Sequence, residues 1–221
     1  MKIYQPHIWP QTIEEAITIQ ENLSQRVITE NRFSEPIRYV AGVDMGFEDD
    51  GKISRAAVAV LSFPDLQVVE TTLAHRSTSF PYIPGFLSFR EIPAVLDALE
   101  KIQTAPDIIL CDGQGIAHPR RFGIASHLGV ILDMPTIGVA KSLLIGKHEE
   151  LPETKGSWQP LIHKGETIGA VLRTRVGVKP LYISSGHKIS LTTAVDYVLR
   201  CTPKYRLPET TRVADKLASN R

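Results

Sequence analysis

A run of four apolar residues, Ile108-Ile109-Leu110-Cys111, preceded by Asp107 and closed by Asp112-Gly113, does most to set what this chain can fold into. A short continuous apolar run is the pattern of a strand buried on both faces, and such a strand needs helices on both sides of its sheet. Upstream, three strand-like runs cover 38–47, 54–63 and 66–75. Asp49-Asp50-Gly51-Lys52 and Pro64-Asp65 supply turns between them, so they form an antiparallel meander. Before the meander, Thr12-Ile13-Glu14-Glu15 reads as a capping box opening an amphipathic helix, with Ile13, Ala16, Ile17, Leu23 and Val27 near one face. After it come a proline-bearing loop and a helical pattern over about 93–103. The buried run is followed by a glycine-rich loop, a helix near 122–132 and a strand at 136–139. Strands at 167–173 and 181–184 and helices near 191–200 and 210–219 close the chain. The expected fold class is α/β, a mixed β-sheet flanked by helices. No repeat or long linker divides the 221 residues, so residues 1–221 are expected to form a single domain.

Composition narrows the setting. Two cysteines, Cys111 and Cys201, cannot form a disulfide framework and fit a reducing compartment, so a cytoplasmic location is expected. The N-terminus lacks the apolar core of a signal peptide, and no stretch nears the roughly 20 apolar residues of a membrane helix. Lys and Arg number 25 against 24 Asp and Glu, a net charge of +1 that superficially argues against a polyanionic partner. The charges are not evenly spread. Residues 164–221 carry 11 basic and 4 acidic side chains, while residues 1–163 carry 14 basic and 20 acidic. Local fields attract a polyanion, so the C-terminal part can present a basic face.

Two carboxylates sit where a charge is costly. Asp44 interrupts the strand Tyr39-Val40-Ala41-Gly42-Val43-Asp44-Met45-Gly46-Phe47, and Asp112 ends the buried run. Carboxylates at the ends of central strands face the crevice in which open sheets place ligand and metal chemistry. Buried without partners they would be penalised, which calls for a cation. Mg²⁺ suits oxygen ligands supplemented by water and substrate phosphate. Glu91 allows two readings. Ser88-Phe89-Arg90-Glu91 fits a capping box, yet Pro93 is most comfortable at a first helical position, which would start the helix beyond Glu91 and free its carboxylate.

The loop Asp112-Gly113-Gln114-Gly115-Ile116-Ala117-His118-Pro119-Arg120-Arg121 can bring backbone N–H groups close to a ligand. In it His118 is a candidate water orienter, and Arg120 and Arg121 are candidate phosphate contacts. It is neither a dinucleotide-binding nor a P-loop pattern. Lys141, emerging at a strand end, could stabilise charge on a phosphate, whereas His127 sits in an apolar helix pattern and belongs to the core. Two prolines stiffen the apolar loop Phe80-Pro81-Tyr82-Ile83-Pro84-Gly85-Phe86-Leu87. Its Tyr82 is either packed onto the core or exposed as a wedge that stacks on bases.

Several long motifs together resemble the endonuclease V family, deoxyinosine-directed nucleases of the RNase H-like fold. They are Ala41-Gly42-Val43-Asp44, the segment Phe80 to Glu91, Asp112 to Arg120, Gly123 to His127, Pro135 to Ser142, Ser185-Gly186-His187 and Arg206 to Arg212. The resemblance implies an RNase H-like sheet and hydrolysis of the second phosphodiester bond 3′ to a deaminated base, leaving 3′-hydroxyl and 5′-phosphate ends. It further implies Mg²⁺, with Mn²⁺ able to substitute, held by Asp44 and Asp112, with Glu91 ligating directly or through water and Asp215 as a fourth acid. His118 and Lys141 complete the catalytic set, and Tyr82 is the wedge. Backbone N–H groups of Gly85, Leu87, Gly113, Gly115 and Ile124 are expected to face the altered base, with Pro81, Ile83, Pro84 and Arg120 around it. The implied partner is DNA containing deaminated bases, bound by a monomer away from any membrane. Inosine-containing RNA is the alternative substrate, and a metal-dependent phosphohydrolase of a small phosphorylated molecule is a second alternative.

Overall fold

The computed structural model describes residues 3–219. Met1 and Lys2 of the N-terminal stretch and Arg221 of the basic C-terminal part lie outside the described residues. An eight-stranded sheet in the order β3-β2-β1-β4-β5-β8-β7-β6 runs through the molecule. The meander is β1 (Tyr39–Glu48), β2 (Ile53–Ser62) and β3 (Val68–Ser77), antiparallel throughout. β4 (Ile108–Cys111) then adds parallel to β1, and β5 (Thr136–Ala140) parallel to β4. β6 (Trp158–His163), β7 (Glu166–Leu172) and β8 (Leu181–His187) extend the far side as an antiparallel set joined through β8 to β5. The expected RNase H-like mixed sheet flanked by helices is what forms.

Both faces of β4 are covered, as its continuous apolar run requires. Ile108 and Leu110 pack with Val40, Ile137 and Val139 under α4 (Leu191–Arg200) and α5 (Glu209–Ala218). Ile109 and Cys111 pack with Ala41, Val43 and Val58 under α2 (Leu87–Leu99) and α3 (Ile124–Leu132). α1 (Ile13–Ser24) carries the expected capping box between Thr12 and Glu15. Its inward residues are Ala16, Gln20 and Leu23; Ile13 is exposed and Val27 lies past the helix end.

Three expectations need correction. α2 begins at Leu87, not at Pro93, and includes Glu91. Pro93 sits inside it, where its missing N–H leaves the Phe89 carbonyl without the usual i+4 donor. Its N-cap, Phe86, makes no side-chain capping bond, so the Ser88–Glu91 box does not form. Lastly, β6 carries no apolar alternation and contains Pro160, and the sequence reading passed over it. It is an edge strand, the place in a sheet that tolerates proline.

Candidate active site

The parallel register of β1 and β4 sets Val43 opposite Cys111, so the next residues along, Asp44 and Asp112, stand on adjoining strands. α5 brings a third acid to them. Gly42 and Gly46 flank Asp44 two residues away on either side. A Cβ on Gly42 would meet the Thr210 carbonyl at 2.2 Å, and one on Gly46 the Ala218 carbonyl at 2.2 Å. The two glycines therefore let α5 lie directly on β1, and its midpoint, with Asp215, falls level with Asp44. Glu91 arrives buried from α2.

Crowding of these charges shifts Asp44, Glu91 and Asp112. Burial first, then the Asp112 charge, pushes Asp44 up to about 7, against which the Met45 N–H and Lys141 work; Asp215 pushes it further up. Burial, Asp44 and Asp112 push Glu91 up to about 8. Asp112 is also raised by burial, though Lys141, ion-paired with it, pulls the other way. Burial pulls Lys141 down, but the Asp112, Asp44 and Asp215 carboxylates outweigh it and hold the ammonium above its ordinary value. One lysine among these acids leaves a negative excess in a poorly solvated place, the electrostatic signature of a cation site. Among the described residues no three His, Cys, Asp or Glu side chains converge as a closed cage. A hard cation here would take one or two carboxylates and complete its shell with water and phosphate.

Beside the acids opens a cleft of about 350 Å³. Tyr82, Ile83, Pro84, Gly85, Leu87, Gly113, His118 and Ile124 line it, together with Asp112 and Lys141. Tyr82 is 70% exposed at its mouth, while its neighbours Phe80 and Phe86 are buried and anchor the loop. α2 and α3 both start at this cleft, at Leu87 and Ile124, and neither has a side-chain N-cap. Their first N–H groups have no intrahelical acceptor and aim two positive dipole ends at the cleft. Gly113 holds φ +154, and a Cβ there would strike Ile124, so only glycine lets this wall come so close.

Other expected residues have different duties. The Gly115 N–H donates to Ser184 Oγ at 2.8 Å, so it is not available to a ligand. His118 has no free nitrogen: Nε2 lies 3.0 Å from the Gly85 carbonyl, and Nδ1 accepts from the Arg120 N–H. Burial lowers its pKa to about 4, and the neutral ring clamps the cleft wall. Arg120 stacks on Phe86 and donates to Gln20 and to the Gly85 carbonyl, while Arg121 pairs with Glu166. Both arginines brace loops. Pro81 is exposed outside the cleft lining. Gln20 was missed. It is 1% exposed and its amide holds the Gly85 and Phe122 carbonyls; a polar residue on the inward face of α1 was the available signal. Leu143 and Leu144, which also line the cleft, were missed as well.

Asp44 within β1 and Asp112 just past β4 on an RNase H-like sheet, with Glu91 and Asp215 brought in by helices, one lysine and an adjacent cleft, define a phosphodiester-cleaving hydrolase. Relatives make that class particular. The endonuclease V family profile matches residues 21–216. An endonuclease V from Trichormus variabilis is 85% identical over 221 residues, covering 100% of both chains. A crystal structure of the Streptomyces avermitilis endonuclease V superposes with a TM-score of 0.91 at 45% identity, over 100% of this chain and 97% of that one. The Ciona intestinalis endonuclease V, solved with a 24mer DNA containing an inosine followed by a ribo-adenosine, gives a TM-score of 0.84 at 33% identity, over 94% and 96%. The chain belongs to the endonuclease V family and is a nuclease.

Proposed function

We propose that this chain repairs DNA by recognising a deaminated base, chiefly deoxyinosine, and hydrolysing the second phosphodiester bond on its 3′ side. The observation that carries this reading is the pair of helix N-termini, neither closed by a side-chain cap, opening on one cleft beside the acids. Deamination of adenine replaces an exocyclic amine, a donor, with a carbonyl, an acceptor. The N–H groups of Leu87, Gly113 and Ile124 suit a carbonyl on a base flipped into the cleft, and adenine would leave them unpaired at a cost of roughly 1–3 kcal/mol for each mismatch. Relatives support the substrate: the Ciona protein was crystallised on inosine-containing DNA.

The acidic excess fits Mg²⁺ held by Asp44 and Asp112, with Glu91 reaching it through water and Asp215 adding to the field. The ion would supply an activated water and stabilise the leaving 3′-oxygen. Lys141, held by Asp112, sets a positive charge where the phosphate gains negative charge. Tyr82 stands at the cleft mouth to fill the space a flipped base leaves in the duplex. The His118 clamp fixes the Gly85 turn, and with it the start of α2.

Incubating an inosine-containing duplex with and without Mg²⁺ and mapping the cut tests the reading, with the matching RNA strand alongside. Asp44→Asn is expected to lower cleavage by on the order of 10³-fold while the variant still binds the inosine duplex. Cleavage at the normal rate by Asp44→Asn would overturn the metal assignment. Equal affinity for inosine and adenine duplexes would overturn the base reading.

A further inference from the structure

A second depression adjoins the acidic cluster. Arg175, Tyr205, Arg206, Arg212 and Lys216 line it, and so does Asp215. The two depressions therefore share the acidic cluster: Asp112 and Lys141 border the cleft, and Asp215 borders this groove. Arg206 ties them together, donating to the Lys141 carbonyl at 2.8 Å and to the Lys179 and Pro180 carbonyls. Arg212 is held flat on the Tyr205 ring, 3.6 Å from its centroid, and is paired with Glu209. Arg175 and Lys216 are exposed at the rim. Four cations against one lining carboxylate, in the basic final part of the chain, make a channel suited to a phosphodiester backbone.

The position of the groove gives it a polarity. A strand whose altered base sits in the cleft and whose scissile phosphate lies at the acids runs from the cleft towards the groove. If the cut falls 3′ of the base, the strand that continues past the acids is the 3′ arm. We infer that the Arg175–Lys216 groove seats the backbone of the cleaved strand on the 3′ side of the cut. Arg175, Arg212 and Lys216 contact successive phosphates there, and Tyr205 supports Arg212 from beneath. This rests on the function proposed above, specifically on cleavage 3′ of the lesion.

The test is a double cycle between protein and substrate. Inosine duplexes are prepared with a long 5′ arm and a 3′ arm of either two or ten nucleotides beyond the cut. The mirror set varies the 5′ arm. Affinity is measured in Ca²⁺, and cleavage in Mg²⁺, for the wild type, for R175A/K216A and for R175K/K216R. Expected is tighter wild-type binding with the long 3′ arm by on the order of tenfold, a gain that largely disappears in R175A/K216A and returns in R175K/K216R. The slope of log affinity against log salt on the long arm falls by about two in the alanine variant, one for each lost phosphate contact. The inference is overturned if the wild type gains nothing from the 3′ arm, if the variant keeps the whole gain, or if the variant loses the advantage of the 5′ arm instead. Failure of the wild type to cut any of these duplexes would instead overturn the underlying function.

Discussion

Tyr82 shows how one residue acquires a task from its surroundings. Phe80 and Phe86 are buried, so the loop that carries Tyr82 is fixed, yet the ring itself is left largely in solvent. An exposed aromatic on an anchored loop beside a base-sized cleft is placed to stack. Tyr82→Ala is expected to weaken cleavage of a base-paired inosine by roughly 5- to 150-fold, from the 1–3 kcal/mol that base–aromatic stacking contributes. On a single-stranded inosine substrate, where nothing must be pushed out of a helix, the loss should shrink to a few-fold. Comparing the two substrates at subsaturating concentration separates a wedge from a mere loop anchor; an equal loss on both would argue for the anchor. The acids differ in how plainly they could be seen. Asp44 and Asp112 are conspicuous from sequence because a charge inside an apolar strand has no local partner. Glu91 is not, because its place depended on where α2 starts. His118 looks chemical in sequence, and only the Gly85 carbonyl and the Arg120 N–H reveal that both its nitrogens are already used.

Elements are coupled beneath the cleft by a chain of neutral groups. His7 donates from Nδ1 to the Ile8 carbonyl, which leaves its Nε2 to accept from His127 Nε2–H, 2.8 Å away. His127 Nδ1 then accepts from the Ser88 hydroxyl at 3.0 Å. The N-terminal segment, α3 and the first turn of α2 are thus linked, and Ser88 also lines the cleft. Burial holds His7 and His127 below their ordinary value of 6.5, and their proximity lowers His127 further. The folded protein binds these protons less readily than the unfolded chain. The stability contributed by the neutral pair is therefore complete above about pH 6.5 and is lost as pH falls from there towards the folded values. Over pH 8 to 5 the raised Asp44 and Glu91 carboxyls change stability in the opposite sense, so the pair is read from the difference between wild type and His127→Gln in thermal melts. His127→Gln should melt lower than wild type at pH 8, by an amount equivalent to about 1–3 kcal/mol for the broken chain, and the gap should narrow on acidification. Parallel curves would remove the pair as the cause. The amphipathic pattern of α1, the buried run of β4 and the meander turns were legible because each is a local signal. β6 was not: of its residues only Leu161 is buried, and only its pairing with β7 makes it a strand. The start of α2 was hidden because Pro93 is tolerated mid-helix once packing against the sheet compensates for one lost hydrogen bond.

At the scale of the whole molecule, charge and recognition are divided between different surfaces. The net charge of +1 conceals an acidic centre and a basic C-terminal part, so attraction to a polyanion comes from a limited patch and not from the molecule as a whole. The cleft, by contrast, offers the base backbone N–H groups and apolar walls, with Lys141 and Asp112 at its acidic end engaged with each other. Affinity for backbone should therefore depend on salt, and discrimination of the altered base should not. Binding of undamaged and inosine-containing duplexes, measured in Ca²⁺ from 50 to 300 mM salt, is expected to give two lines of nearly equal slope on a plot of log affinity against log salt. Their separation, the specificity ratio, should stay constant within about twofold. Both slopes should be shallow, corresponding to a few neutralised phosphates at about 0.9 each for duplex DNA. A specificity ratio that collapses with salt as steeply as the affinity itself would mean that charged side chains distinguish the base, and would move recognition from the helix N-termini at Leu87 and Ile124 to the arginines around them.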